Sequence, residues 1–188
     1  MDLVSELSLY EPYNEQEQKD KKIILSCLKN QNDIFYRTNE LCHITSSAWV
    51  VNEHRNKVLM AYHNIYDSWA WLGGHNDGNE NCLEVAIKEV KEESGLKSVE
   101  PLRNEIFSIE VLTVDGHLKN NQYVSSHLHL NITYLLQASE SQKLQCNPCE
   151  NKDVRWFSLE DVLTCSNEQW MIERVYTKLN NKLRIINQ

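Results

Sequence analysis

The chain has 188 residues, with 19 Lys+Arg against 27 Asp+Glu, giving a formal net charge of −8 at neutral pH. Its 41% hydrophobic and 24% charged content is that of a globular chain long enough to bury one real core. The acidic balance argues against a polymeric nucleic-acid partner, which needs clustered Lys and Arg, but leaves room for a small phosphorylated ligand held through a metal.

No apolar run of about 18 residues occurs, so no membrane span is expected. The polar, acidic start Met1–Glu17 lacks the basic and apolar regions of a secretory leader. The expected location is cytoplasmic, with the six cysteines as thiols and not as a disulfide framework. Cys146-Asn-Pro-Cys149 has the spacing of a zinc half-site or redox pair, but no second ligand pair follows it. Pro148 and its polar flanks favour incidental loop cysteines.

In chain order, Asn14–Lys29 reads as a helix, with Asn14 and Glu17 as a capping-box-like start. Ile44–Val51 and Lys57–His63 are β-branched or aromatic runs around a turn-like Glu53–Asn56 stretch, predicting a hairpin. Ser68–Leu72 predicts a short aromatic strand running into Gly73-Gly74, and Cys82–Ser94 a helix stopped by Gly95. Glu105–Asp115 and His127–Ala138 read as strands joined by a polar loop over Gly116–Ser126. Asp153–Phe157 is a further strand, Ser158 opens a short helix through Val162, and Asn167 to about Arg184 is a final amphipathic helix. Interleaved helices and strands without regular βαβ alternation predict an α/β fold with a mixed sheet flanked by helices.

Only five glycines occur, where average usage of ~7% would give about 13, and four of them lie between Gly73 and Gly95. On the helix they frame, at 100° per residue, Ala86, Ile87 and Val90 fall within about 60° of Leu83 as a core-facing stripe. Glu89, Glu92 and Glu93 share an arc of about 100° beside it. Carboxylates at i,i+3 and i,i+4 repel; a hard divalent cation reverses that sign, since Mg²⁺ takes oxygen ligands and bridges to phosphate. A solvated helix face, built on the Glu84–Lys88–Glu92 ladder, is the alternative. The glycines favour the site, because they are expected to turn the chain tightly and let backbone carbonyls approach a ligand.

The 23 residues Gly74–Leu96 resemble the Nudix box, G-x₅-E-x₇-R-E-U-x-E-E-x-G-U with U a bulky apolar residue. Gly74, Glu80, Glu89, Val90, Glu92, Glu93, Gly95 and Leu96 all match; Lys88 stands where the family normally has arginine. Agreement at the six fixed Gly and Glu positions arises by chance on the order of 10⁻⁷ per register. Lysine keeps the charge but loses the bidentate fork. Trp71 fits the common lead-in to the box, and Asp153–Glu160 resembles the family's late strand and short helix. The resemblance spans about Ile44 to Val162, which divides the chain into an N-terminal helical extension, 1–40, and a Nudix domain, 41–188.

The resemblance implies an α/β/α sandwich around a mixed sheet, with the N-terminal helix as an addition. It also implies hydrolysis of a diphosphate in a nucleotide-like small molecule, using Mg²⁺ or Mn²⁺. Glu89, Glu92, Glu93 and the Gly73 carbonyl would be metal ligands. Glu89 or Glu92 would take a proton from water, and Lys88 and Glu80 would orient the cluster. A non-catalytic nucleotide sensor on the same fold is the competing class; the complete glutamate set argues against it. For the substrate, Trp71, His129 and Tyr62 are the candidates. Tyr62, His63, Tyr66, Trp69 and Trp71 are open to base stacking or to aromatic core packing. His127, His129 and Asn131 alternate on one strand face, as pocket lining, with His129 near a metal, or as a partly exposed surface. Glu150 or Asp153 is a candidate extra carboxylate. The N-terminal helix has two readings, a homodimer contact or a cover for the pocket.

Overall fold

The computed structural model describes residues 2–65, 67–119 and 121–187. The chain opens with a helix the sequence reading did not contain, α1 (Leu3–Leu9), capped by Asp2, whose carboxylate accepts from the Ser5 N–H at 2.8 Å. Helix α2 (Glu15–Asn30) starts as expected, with the Asn14 amide oxygen accepting from the Glu17 N–H at 2.9 Å. Glu17 does not close a capping box onto Asn14. Its carboxylate is fully buried and accepts instead from the Tyr13 N–H, at 2.7 Å.

The predicted hairpin is present as β1 (Cys42–Val51) and β2 (Lys57–His63), antiparallel with Val51 opposite Val58. The single aromatic strand of the sequence reading is two: β3 (Ser68–Ala70) pairs with β2, and β4 (Leu72–His75) pairs with β1. Gly73 and Gly74 are thus strand residues and not a turn. The turn falls later, where Asp77 and Gly78 have φ of 47° and 91°. Helix α3 (Cys82–Ser94) follows with the expected bounds. Then come β5 (Glu100–Pro101) and β6 (Ser108–Val114). Where a polar loop was expected, β7 (His117–Lys119) and β8 (Gln122–Val124) form a separate antiparallel hairpin. Strands β9 (His127–Gln137) and β10 (Asn151–Ser158) complete the sheet.

Ser158 does cap, but only a turn: its hydroxyl accepts from the Asp161 N–H at 3.0 Å, and α4 (Val162–Cys165) begins beyond it. The final helix is interrupted. α5 (Gln169–Met171) passes through a π-helical turn, Ile172–Tyr176, into α6 (Thr177–Ile186). The Thr177 hydroxyl bonds the Ile172 carbonyl at 2.7 Å, five residues back.

The eight-stranded sheet runs β10-β2-β1-β9-β5, with β3 on β2, β4 on β1 and β6 on β9. Strand β1 pairs with β9 in parallel over ten residues, Cys42 with Leu128 through Val51 with Gln137. All ten β1 residues are buried, as expected for a strand covered on both faces. Ile44, Ala48, Leu130 and Ile132 face a core shared with Leu7 of α1, Ile24 of α2 and Ala86 and Val90 of α3. Trp49, Val51 and Leu135 alternate onto the other face and pack with Val162, Tyr176, Leu179 and Leu183. Helices therefore cover both sides of a mixed sheet, an α/β/α sandwich.

A buried ionic network ties the chain's two ends together. Lys178 Nζ lies 3.2 Å from Glu17 and 2.8 Å from Glu110, and Lys182 Nζ lies 3.0 Å from Glu17. Burial pulls the Glu17 carboxyl upward, but Lys178, Lys182 and the Tyr10 hydroxyl outweigh it and hold it at about 2. Helix α2 also covers the outer edge of β6: the Asp20 carboxylate accepts the Val111 N–H at 3.2 Å.

Candidate metal and catalytic site

Helix α3 is fixed at both ends. The Asn81 side chain accepts from the Glu84 N–H at 3.2 Å, and Gly95 ends the helix in the left-handed conformation at φ 72°. A side chain is strained there, which makes glycine the natural stop. The buried face is Cys82, Val85, Ala86, Val90, Glu93 and Ser94, while Leu83 and Ile87 are only partly buried. The stripe is rotated from the predicted one, and the rotation carries Glu93 and Glu89 beneath β4.

There the two glycines act by what they lack. The Gly73 N–H donates to the Glu93 carboxylate at 3.0 Å. A Cβ on Gly74 would overlap the Glu89 carboxylate, so glycine there lets that carboxylate lie against the strand, where a side chain would push it aside. Glu93 is 6% exposed. Its carboxyl is pushed well up by burial, against the pull of the Gly73 N–H, with Glu89, Glu150 and Glu92 adding repulsion. Glu89 is raised as well, by burial first, with Lys88 opposing and Glu92 and Glu150 adding to it. Glu92 stands at the rim with half its side chain exposed.

Lys88 reaches both neighbours, at 3.3 Å from Glu89 and 3.2 Å from Glu92. Glu80 is exposed and makes no hydrogen bond or ion pair with the described residues, so it does not orient the cluster as expected. Of the two loop candidates, Glu150 is the one within electrostatic reach of Glu89 and Glu93. Asp153 instead pairs with Arg155 at 2.5 Å. The loop is anchored beside the helix end by Asn151, whose amide donates to the Glu93 carbonyl at 2.9 Å. Arg37, which no sequence signal marked, also acts on Glu89 and forms a two-point pair with Asp77, one contact at 2.7 Å.

Around the buried Glu93 and the partly buried Glu89, the carboxylates of Glu92 at the rim and Glu150 nearby disfavour further negative charge. A hard divalent cation with oxygen ligands fits this donor set. Glu89, Glu92 and Glu93 are thus brought together, with Gly73 against them through its N–H.

The substrate candidates are not brought together with one another. Trp71 packs edge-on to Tyr176 with ring centroids 6.1 Å apart. Tyr62 packs edge-on to Trp69 at 5.4 Å, and its hydroxyl donates to the Asp67 carbonyl at 3.0 Å. Both belong to the aromatic layer on the face away from α3. The His63 ring accepts from the Ile65 N–H at 3.2 Å; Tyr66 lies outside the described residues. His129 stands toward the opposite end of the sheet, where nitrogens of His43, His75 and His129 lie within 4.8 Å of one another. Asn131 is not pocket lining: it is buried, accepts from Thr45 at 3.0 Å and Ser47 at 2.8 Å, and donates to Glu110 at 3.0 Å. The six cysteines are free thiols, and Cys149 is exposed in the loop before β10. No helix among the described residues is long and apolar enough to cross a membrane.

The model of the NUDIX domain matches residues 43–178. A NUDIX-family hydrolase from Clostridium perfringens is 26% identical with a TM-score of 0.54, the match covering 77% of this chain and 97% of that one. An Ap4A hydrolase from C. elegans is 16% identical at TM-score 0.51, over 77% and 96% of the two chains. The E. coli dihydroneopterin triphosphate pyrophosphohydrolase is 14% identical at TM-score 0.53, over 72% and 95%. Among curated proteins none matches the chain.

Proposed function

From the chain's membership of the NUDIX domain family, we propose that it is a metal-dependent hydrolase that cleaves a diphosphate bond in a nucleotide-like small molecule. The observation that carries this reading is the contact of Gly73 and Gly74 with the buried carboxylate of Glu93 and the partly buried one of Glu89. A site that only maintained the fold would have no use for two neighbouring acids, one buried and one partly buried, each raising the other's cost of ionisation. The neighbours in C. elegans and E. coli, whose names carry Ap4A and dihydroneopterin triphosphate, share the substrate class of a short phosphate chain on a small base. The hydrolase domain is taken as 41–188, with 1–40 as a helical extension.

In this reading Glu89, Glu92 and Glu93 hold Mg²⁺ or Mn²⁺, with the Gly73 carbonyl as a further ligand. The bound ion supplies charge neutralisation at the phosphate oxygens and a water of lowered pKa. Glu93 is held in place by the Gly73 N–H, which fixes its carboxylate without a second side chain. Glu89 or Glu92 accepts the proton of the attacking water. Lys88 steers both carboxylates. Trp71 and Tyr62 remain the proposed substrate contacts; His129, grouped with His43 and His75 toward the other end of the sheet, is not one of them.

The test is a panel of nucleoside diphosphate derivatives, dinucleoside polyphosphates and related compounds, assayed for phosphate or pyrophosphate release with Mg²⁺ or Mn²⁺ and with chelator. Metal-dependent turnover of at least one compound is expected. Binding without turnover across the panel would instead identify a nucleotide sensor.

A further inference from the structure

Four of the seven histidines gather at one end of the sheet, on the face turned away from α3. The strand register brings them there: His43 lies opposite His129 across the parallel pair, and His75 lies opposite Thr45 across the antiparallel one. His43 and His75 are 5.0 Å apart between ring centroids, His43 and His129 4.9 Å, His75 and His129 4.9 Å, and His127 and His129 5.1 Å. Strands are rigid supports, and a site built on three of them is fixed more tightly than one on loops.

The hydrogen bonds determine where the lone pairs point. His43 Nδ1 is 3.0 Å from the Asn39 carbonyl, which can only accept, so the proton is on Nδ1 and Nε2 is a bare lone pair. That Nε2 is buried and has no partner among the described residues, in a side chain 3% exposed. Asn39 is itself locked, accepting from the Leu41 and Cys42 N–H groups at 3.1 and 3.2 Å and donating to Asp33 at 2.9 Å. His127 repeats the pattern, with Nδ1 2.8 Å from the Ser125 carbonyl and Nε2 3.2 Å from His129 Nε2. Rings whose far nitrogens donate to backbone carbonyls are the outer support of metal-binding histidines. Burial first, and then the neighbouring His75, His43 and His127 rings, disfavour the charged form of His129.

We propose that His43, His75 and His129 form a second metal site, for a transition ion of the Zn²⁺ type, with His127 placed to close the fourth position. Three imidazoles select Zn²⁺, Co²⁺, Ni²⁺ or Cu²⁺ over Mg²⁺, which prefers oxygen. The three nitrogens lie within 4.8 Å of one another, whereas Zn–N bonds of about 2.0–2.1 Å bring tetrahedral ligands closer than that. Binding therefore draws the half-buried His75 and His129 in towards the fixed His43. The inference stands on the rings alone and does not depend on the hydrolase reading.

The chelator-treated full chain, titrated with Co²⁺, tests it. Nitrogen-bound Co²⁺ of low coordination number gives strong visible bands, while six-coordinate, oxygen-bound Co²⁺ absorbs weakly. Wild type and Glu92→Gln are expected to develop the strong bands with one Co²⁺ per chain, bleached by Zn²⁺ and untouched by millimolar Mg²⁺. His129→Gln and the more exposed His75→Asn, each checked for folding by circular dichroism, are expected to weaken Co²⁺ binding at least tenfold. Unchanged bands in a folded histidine variant, loss of the bands in Glu92→Gln, or displacement by Mg²⁺ would each overturn the proposal.

Discussion

At the scale of single residues, Glu93 combines a stability cost with a functional gain. Glu93→Gln retains the hydrogen bond from Gly73 and removes the charge. Its turnover is expected to fall by about 10²–10³-fold, the usual loss when one charge-stabilising group is removed, with an unchanged circular dichroism spectrum. Near-normal hydrolysis by both this variant and Glu92→Gln would refute the site. The pH dependence has a definite sign. Because the folded carboxyl is raised, its penalty is absent below the ordinary value of 4.5 and grows as pH rises through the folded value. Metal-free Glu93→Gln is therefore expected to be more stable than wild type at pH 7–8 and no more stable at pH 4, measured by urea denaturation. The glutamates and the Gly73-Gly74 pair were legible because their spacing is local. The way they act was not: the pair serves as a flat strand surface for the helix, which only the β1–β4 register reveals.

Among the elements, α2 and α6 depend on each other. Lys178→Met would leave Glu110 without its cation and Glu17 with Lys182 alone, and a loss of about 3–5 kcal/mol is expected in urea denaturation. The network also makes the protein acid-sensitive. Glu17, held at about 2, contributes stability above its ordinary value of 4.5 that is lost as pH falls toward 2. Deletion of residues 1–40 would strip Lys182 of its carboxylate, leave Lys178 with Glu110 alone and uncover the Val111 N–H on β6. A chain that fails to give a sharp thermal transition is expected, and one that melts like wild type would show the extension to be dispensable. Helices α2 and α3 and strands β1 and β2 were legible because caps and β-branched runs are local signals. The β3–β4 break, the β7–β8 hairpin and the π turn were not, since partners or a single side-chain hydroxyl define them. Nor was the rotation of the α3 stripe. Apolar periodicity favoured Leu83 and Ile87, and the sheet selected Val85 and the acids.

For the molecule as a whole, the charge of −8 is partly a local matter of unneutralised carboxylates at one helix. On the proposed reading Mg²⁺ would bind only the folded arrangement, so at about 100 times its Kd it should add about 2.7 kcal/mol of stability. A rise in melting temperature is expected for wild type and its absence for Glu93→Gln, by differential scanning calorimetry. The histidine group illustrates what a linear reading misses at this scale. His43, His75 and His129 carry no common spacing and meet only because β1 lies between β4 and β9.

That same arrangement governs how the protein is made. The longest pairing in the sheet joins residues 42–51 to 128–137, and such distant contacts slow folding because a large loop must close first. On the ribosome, β1 can pair with β2 and β4 on one side once His75 is made, while its other side waits for residues 76–127 to be synthesised before β9. Until β9 arrives, a long apolar strand edge is open to any other nascent chain. Stalled or truncated products ending before Leu128 are therefore the species that holdase chaperones should capture, and full-length chains should escape them.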